Sequence, residues 1–269
     1  MPYVNIAVLT TKQLFIPIEA FHKMKKFLLF TFILLGVFTA GASDFENYKV
    51  NVGQFSRLKV LDNVNVVYRN LPDSTGFVQW SGAKEFADAF ILTPKDGLLK
   101  IQVSTEDVNN PDLPTLYVYS DFLNSVENES SKTLTVEDPA PCAEFKAKEV
   151  GNGHVNIENL KANVVKASIS TGNGTVNISG ECRQAELKMV GTGVISVDRL
   201  QAEEVKCKIF GGGSIGCWPL DKLSVKGIGS TKIYYKGSPK VSKSGGGKLF
   251  QLPDDGQFDA VVDEEGTED

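Results

Sequence analysis

Gly151-Asn152-Gly153-His154-Val155-Asn156-Ile157, Gly172-Asn173-Gly174-Thr175-Val176-Asn177-Ile178 and Gly191-Thr192-Gly193-Val194-Ile195-Ser196-Val197 are three statements of one phrase. Gly-x-Gly returns at Gly211-Gly212-Gly213, Gly227-Ile228-Gly229 and Gly245-Gly246-Gly247, so the first glycines step by 21, 19, 20, 16 and 18 residues. Four residues after each first Gly stand Val155, Val176, Ile195, Ile215, Thr231 and Leu249. Six after it stand Ile157, Ile178, Val197, Cys217, Ile233 and Gln251, with Asn156, Asn177, Ser196, Gly216, Lys232 and Phe250 between the two sets. Alternation of this kind marks a strand with one buried face. A unit of some twenty residues carrying little else cannot hide that face alone, so the copies must stack, with parallel strands about 4.8 Å apart. The expected fold is all-β, a parallel β-helix of about 18–21 residues per coil, with aliphatic residues inside and Gly at the corners. A sandwich of regular hairpins also has short strands between turns, but it does not return the same residue class to the same offset.

Upstream, Phe55 to Val67, Phe77 to Trp80, Leu98 to Val103, Thr115 to Tyr119 and Leu134 to Val136 read as strands separated by Pro-, Gly- and Asn-containing turns. Lys84 to Phe90 has room for one helical turn. The looser spacing leaves two readings open, irregular coils of the same solenoid or a small β cap. The end of a coil stack needs cover in either case.

The N-terminus is an address. Met24-Lys25-Lys26, the apolar run Phe27 to Phe38 and then Ala40-Gly41-Ala42-Ser43 form a secretory signal peptide with cleavage between Ala42 and Ser43. The apolar run is too short for a membrane-spanning helix. Residues 1–42 are therefore an upstream segment plus signal, with Met24 as the expected start, and no Cys stands at the cleavage site for a lipid anchor. Residues 43–252 form a single β-helix domain, and 253–269 an acidic tail, disordered or folded back over the last coil.

Charge sharpens this division. The 269 residues carry 28 bases and 33 acids. Four Lys and one Glu lie in 1–42 and eight carboxylates in 253–269, which leaves 24 of each sign between them. A body without net positive charge argues against nucleic acid as a partner.

Catalytic and cofactor motifs are scarce. Downstream of the signal, His154 is the one His, and it sits at a coil corner, so a His-assisted nucleophile has nothing to build on. No His/Cys group has zinc spacing, and no metal is expected. Gly211-Gly212-Gly213-Ser214-Ile215-Gly216 matches G-x-G-x-x-G in form, but no helical pattern follows, so no cofactor is expected either. Cys207 and Cys217 fall at inward offsets, and no two of Cys142, Cys182, Cys207 and Cys217 occupy equivalent sites on adjacent coils. Free buried thiols are expected for Cys207 and Cys217, with no disulfide.

Seven residues after each first Gly the register gives Glu158, Ser179, Asp198, Trp218, Tyr234 and Leu252. Glu158 and Asp198, two coils or about 9.6 Å apart, are the candidate carboxylate pair for an inverting polysaccharide-active enzyme, with solvated surface charge as the simpler reading. Trp218 and Tyr234, with Phe250 nearby, form an outward aromatic platform suited to stacking on sugar rings or anchoring a protein, unless the tail or another subunit covers them.

Gly227-Ile228-Gly229-Ser230-Thr231-Lys232-Ile233-Tyr234-Tyr235-Lys236-Gly237-Ser238-Pro239-Lys240-Val241, followed by Ser244-Gly245-Gly246-Gly247, resembles the putative auto-transporter adhesin head (GIN) domain family. Phe55-Ser56-Arg57-Leu58-Lys59-Val60 and Gly97-Leu98-Leu99-Lys100-Ile101 fit the same pattern, so the resemblance spans about residues 50–250. It implies a right-handed parallel β-helix in an exported bacterial protein, and no established activity. The stretch after Leu252 has no room for a membrane barrel, so self-export is not expected. Asp73-Ser74-Thr75 resembles the periplasmic O-glycosylation motif of Bacteroidetes-like organisms, which makes Ser74 and Thr75 candidate modification sites. The expected function is that of a non-enzymatic cell-envelope protein, periplasmic, outer-membrane-associated or extracellular, that binds a surface glycan or protein. A polysaccharide-active enzyme and a structural, oligomer-forming envelope module are the alternatives.

Overall fold

The computed structural model describes residues 45–104, 106–107 and 110–258. The N-terminal part holds nine strands: β1 (Phe45–Asn51), β2 (Arg57–Val60), β3 (Val66–Arg69), β4 (Phe77–Ala83), β5 (Phe90–Lys95), β6 (Leu98–Val103), β7 (Leu116–Tyr119), β8 (Ser125–Asn128) and β9 (Thr133–Glu137). The repeat region follows as β10 (Cys142–Glu149), β11 (His154–Ile169), β12 (Thr175–Met189), β13 (Val194–Ile209), β14 (Ser214–Gly227), β15 (Lys232–Tyr235), β16 (Lys240–Gly245) and β17 (Lys248–Gln251). The fold is a parallel β-helix. Among the described residues no helix is long and apolar enough to cross a membrane.

The long repeat strands bend, so that one strand serves three faces. In β11, His154–Ile157 lie beside Thr175–Ile178 on a first face, Leu160–Ala162 beside Gly180–Cys182 on a second, and Val164–Ile169 beside Gln184–Met189 on a third. The first bend is a register shift between Ile157 and Leu160, with Asn159 at φ 55°. The aliphatic column expected inside is present: Val155, Val176, Ile195 and Ile215 pair in register and are each 0% exposed. It continues upstream through Leu134, Val66 and Leu116, and downstream through Ile233 and Leu249. Stacking is close enough at the corners to exclude side chains there. A Cβ on Gly193 would run into the carbonyl of Gly174 on the neighbouring rung. Close approach of backbone, more than an unusual dihedral, dictates glycine at this position.

Both readings of the N-terminal part turn out to hold together. The rung formed by β2 and β3 lies between the rung of β6 and β7 and that of β8 and β9, pairing in parallel with each. The chain therefore lays its second rung first, leaves for the end of the stack, returns as the outermost rung and then crosses to the third. The end itself is closed by antiparallel strands: β4 on β7, β1 on β4, and β5 on β6. β5 and β6 join through Asp96-Gly97, both at positive φ (51° and 73°), as a two-residue hairpin turn of matching twist requires. Trp80 is buried there, stacked on Tyr48 at 5.3 Å, edge-on to Phe90 at 5.2 Å, and donating its indole N–H to the Phe86 carbonyl at 3.0 Å. The helical turn expected within Lys84 to Phe90 is a 3-10 turn at Lys84–Phe86.

Candidate functional site

The aromatic platform is rearranged by a two-residue register difference. Gly229, not Gly227, stacks on Gly211, because the chain shortens at this corner. Tyr234 therefore pairs with Gly216 and Phe250, in the column of Asn156, Asn177 and Ser196. Trp218 pairs instead with Gln201, around the corner on the second face. The structure thus brings Tyr234 and Phe250 together, stacked with centroids 5.1 Å apart, and leaves Trp218 outside the column.

Tyr234 is also covered. Phe258, fully buried, lies against its ring at 5.4 Å and against Gly216, where any side chain would collide with it. The start of the acidic tail thus folds back onto the outer side of the first face, leaving Tyr234 2% exposed. Beneath it, Asp198 is buried and pairs with Lys236 at 3.3 Å, accepts a hydrogen bond from Ser196 Oγ at 2.8 Å and receives the backbone N–H of Phe258 at 3.5 Å. The Lys236 ammonium stands 5.6 Å from the Trp218 ring centroid. Asp198 thus anchors the tail, whereas Glu158 is exposed, so the two carboxylates do not converge on one open surface.

The open polar site lies on the rungs that precede those covered by Phe258. Asn156, Asn159, Asn177, Glu158, Ser179 and Arg199 contribute to the lining of a cavity of about 360 Å³ at the bend between the first and second faces. Asn177 donates to Asn156 Oδ1 at 2.9 Å, the Asn159 backbone N–H donates to Ser179 Oγ at 3.2 Å, and Asn159 Nδ2 donates to Asp138 at 2.7 Å. These bonds hold amides and a hydroxyl at rung spacing, each with further donor or acceptor capacity. The Asn positions are legible in the repeat; Arg199 is not, because it reaches the site through the register shift between Asn177 and Ser179.

The remaining candidates sit as follows. A second groove of about 390 Å³ includes Cys142, Lys161, Glu181 and Cys182, with Lys161 paired to Glu181 at 3.1 Å. Burial pushes the Cys182 thiol up to about 12 and also raises that of Cys142, so neither is an activated nucleophile. Cys207 and Cys217 are buried and unbridged, and their thiols meet across the core. Hydrogen bonding to Cys207 and then burial raise Cys217 well above the ordinary thiol range. Ser74 ends a 3-10 turn and Thr75 accepts from Gln54 Nε2 at 2.6 Å, both half-buried. Ala42 and Ser43 lie outside the described residues. No cluster of three or more His, Cys, Asp or Glu suited to a metal occurs among the described residues.

Solved structures share this architecture. The chain is similar to a putative adhesin from Bacteroides fragilis NCTC 9343, with TM-score 0.66 and 22% identity over 79% of this chain and 97% of that one. It is similar to a putative lipid binding protein from Parabacteroides distasonis ATCC 8503, with TM-score 0.58 and 17% identity over 78% and 98%. A putative adhesin from Parabacteroides merdae ATCC 43184 gives TM-score 0.58 and 20% identity over 78% and 95%. Identities of this order establish the fold. No curated protein matches the chain. The family model described as putative auto-transporter adhesin, head GIN domain, matches residues 54–239, and the chain belongs to that family.

Proposed function

We propose that this is an exported, non-enzymatic envelope protein that binds a surface glycan in the amide-lined cavity. The observation that carries the reading is the row of hydrogen-bonded Asn156 and Asn177 beside Asn159 and Ser179, on two adjacent rungs of a rigid sheet. Neutral amides and hydroxyls with spare donors and acceptors suit sugar hydroxyls. The family's description as an adhesin agrees with a binding role, and the signal peptide read from the sequence at Met24 to Ala42 supports export. Trp218, half-buried on the neighbouring face, is the aromatic placed to line an extended ligand, whereas Tyr234 is covered by Phe258 and Phe250 stacks on Tyr234 one rung further on. A glycan array followed by titration tests this. Asn177→Ala is expected to weaken the best ligand about tenfold, the loss of one or two ligand hydrogen bonds, with little effect from Tyr234→Phe. An array without hits, or a hit indifferent to Asn177→Ala, would defeat the proposal.

A further inference from the structure

A neutral body conceals a charged face. On the outer side of the third face, Lys100, Lys59, Lys148, Lys188, Lys208 and Lys226 fall in one register column, interrupted by Glu127 and Ser168 and ended by Ser244. Toward the N-terminal end acidic partners offset part of the charge: Lys59 and Lys148 both pair with Glu127, at 3.3 and 3.0 Å, and Lys59 also with Glu129 at 2.8 Å. Toward the C-terminal end Lys188, Lys208 and Lys226 are exposed on three successive rungs, and none forms an ion pair among the described residues. The charged groups facing them from the neighbouring columns are Glu186, Glu204, Lys206, Lys222 and Lys240, with Lys206 and Glu204 3.9 Å apart. The cluster keeps a clear positive excess.

Two residues beyond each of those lysines, on the same three rungs, stand Val190, Phe210 and Ile228, which are 38%, 57% and 80% exposed. Their backbones are held in the rung-to-rung ladder: the N–H of Val190, Phe210 and Ile228 donate to Ile169, Met189 and Ile209 at 3.0, 2.8 and 2.8 Å. Three ammonium groups and three apolar side chains therefore form two parallel rows, about 7 Å apart along the strands and about 4.8 Å between rungs. Isolated exposed apolar residues are ordinary; a contiguous row bordered by unpaired cations is a surface with a use.

We propose that this corner docks on an anionic lipid leaflet, the lysines meeting headgroup phosphates while Val190, Phe210 and Ile228 enter the acyl boundary. Charge complementarity selects an anionic partner, and the apolar row selects a membrane over a soluble polyanion, which gains little from burying Phe210 and Ile228. The site is separate from the amide cavity and does not depend on it.

Co-sedimentation of the full chain with phosphatidylglycerol/phosphatidylcholine vesicles tests the proposal, with pure phosphatidylcholine vesicles and dextran sulfate as comparisons. The expected result is binding to the anionic vesicles that falls with salt. Lys208→Gln/Lys226→Gln should weaken it roughly 30-fold, about fivefold per lysine. Phe210→Ser/Ile228→Ser should also weaken vesicle binding while leaving any dextran sulfate binding unchanged. Circular dichroism verifies folding, and Asn177→Ala should leave vesicle binding intact, which separates this site from the glycan site. Absence of binding to anionic vesicles, or vesicle binding that ignores either double substitution, would overturn the proposal. So would binding to dextran sulfate alone.

Discussion

The two ends of the β-helix meet the same hazard in opposite ways. At the first rung, β4 pairs with β7 and β5 with β6, so antiparallel strands cover the exposed ladder and Trp80, Tyr48 and Phe90 pack behind them. At the last rung, among the described residues, β16 pairs with β14 alone and β17 with β15 alone, and every residue of β16 is exposed. There the inward column that carries Cys207 and Val225 ends in Lys243. A lysine where the core would continue discourages another strand from adding on. One end is closed by burial, the other by charge, and substitutions at the two ends should therefore differ in kind.

The largest effect is expected at the closed end. Trp80→Ala removes the ring at the centre of the cap and its hydrogen bond to Phe86, and should lower unfolding free energy by about 3–5 kcal/mol in chemical denaturation. An effect below about 1 kcal/mol would mean that the cap does not support the stack.

The next lies where the out-of-order rungs join the regular turns. Glu149 is fully buried, accepting from Asn128 Nδ2 at 2.9 Å and from the Gly153 N–H at 2.9 Å, yet burial outweighs those bonds and pushes its carboxyl up to about 7. The folded state then holds this proton more tightly than the unfolded chain. The contribution is fully present below the ordinary value of 4.5 and is lost as pH rises toward about 7, by up to roughly 3 kcal/mol. Denaturation midpoints measured from pH 4.5 to 7 should fall, and Glu149→Gln should flatten the slope whatever its absolute stability.

Phe258→Ala should cost about 2 kcal/mol, the transfer of one phenyl ring to water. It should also expose Tyr234, readable as increased reactivity of that ring to iodination. The smallest change in stability is expected at the open end, where Lys243→Val should alter unfolding free energy by about 0.5 kcal/mol or less. It should nevertheless promote self-association in sedimentation velocity, whereas substitutions behind the cap should not.

The sequence disclosed this architecture unevenly, for physical reasons. Val155, Val176, Ile195 and Ile215 were readable because a solenoid returns each buried residue to one offset. Tyr234 departs from the offset that the glycine spacing gives it because the corner at Gly227 is shorter than its predecessors, and a glycine pair does not announce which member stacks on the rung before. The order of the first rungs was hidden altogether, since pairing of β2 with both β6 and β8 leaves no periodic trace. Net charge was a poor guide to the surface: 24 acids balance 24 bases in the body, but Lys188, Lys208 and Lys226 share one column. Their spacing of 20 and 18 residues was the available signal.

Everything built on faces and columns rests on register, and cross-linking reads register directly. With Cys142 and Cys182 replaced by Ala, Lys188→Cys and Lys208→Cys should sit opposite one another on adjacent rungs, with Cα atoms about 4.8 Å apart and inside the range a disulfide spans. Rapid oxidation of this pair, with no cross-link between Lys188→Cys and Lys206→Cys, is the expected result. Efficient bridging of the second pair and none of the first would contradict the stacking described.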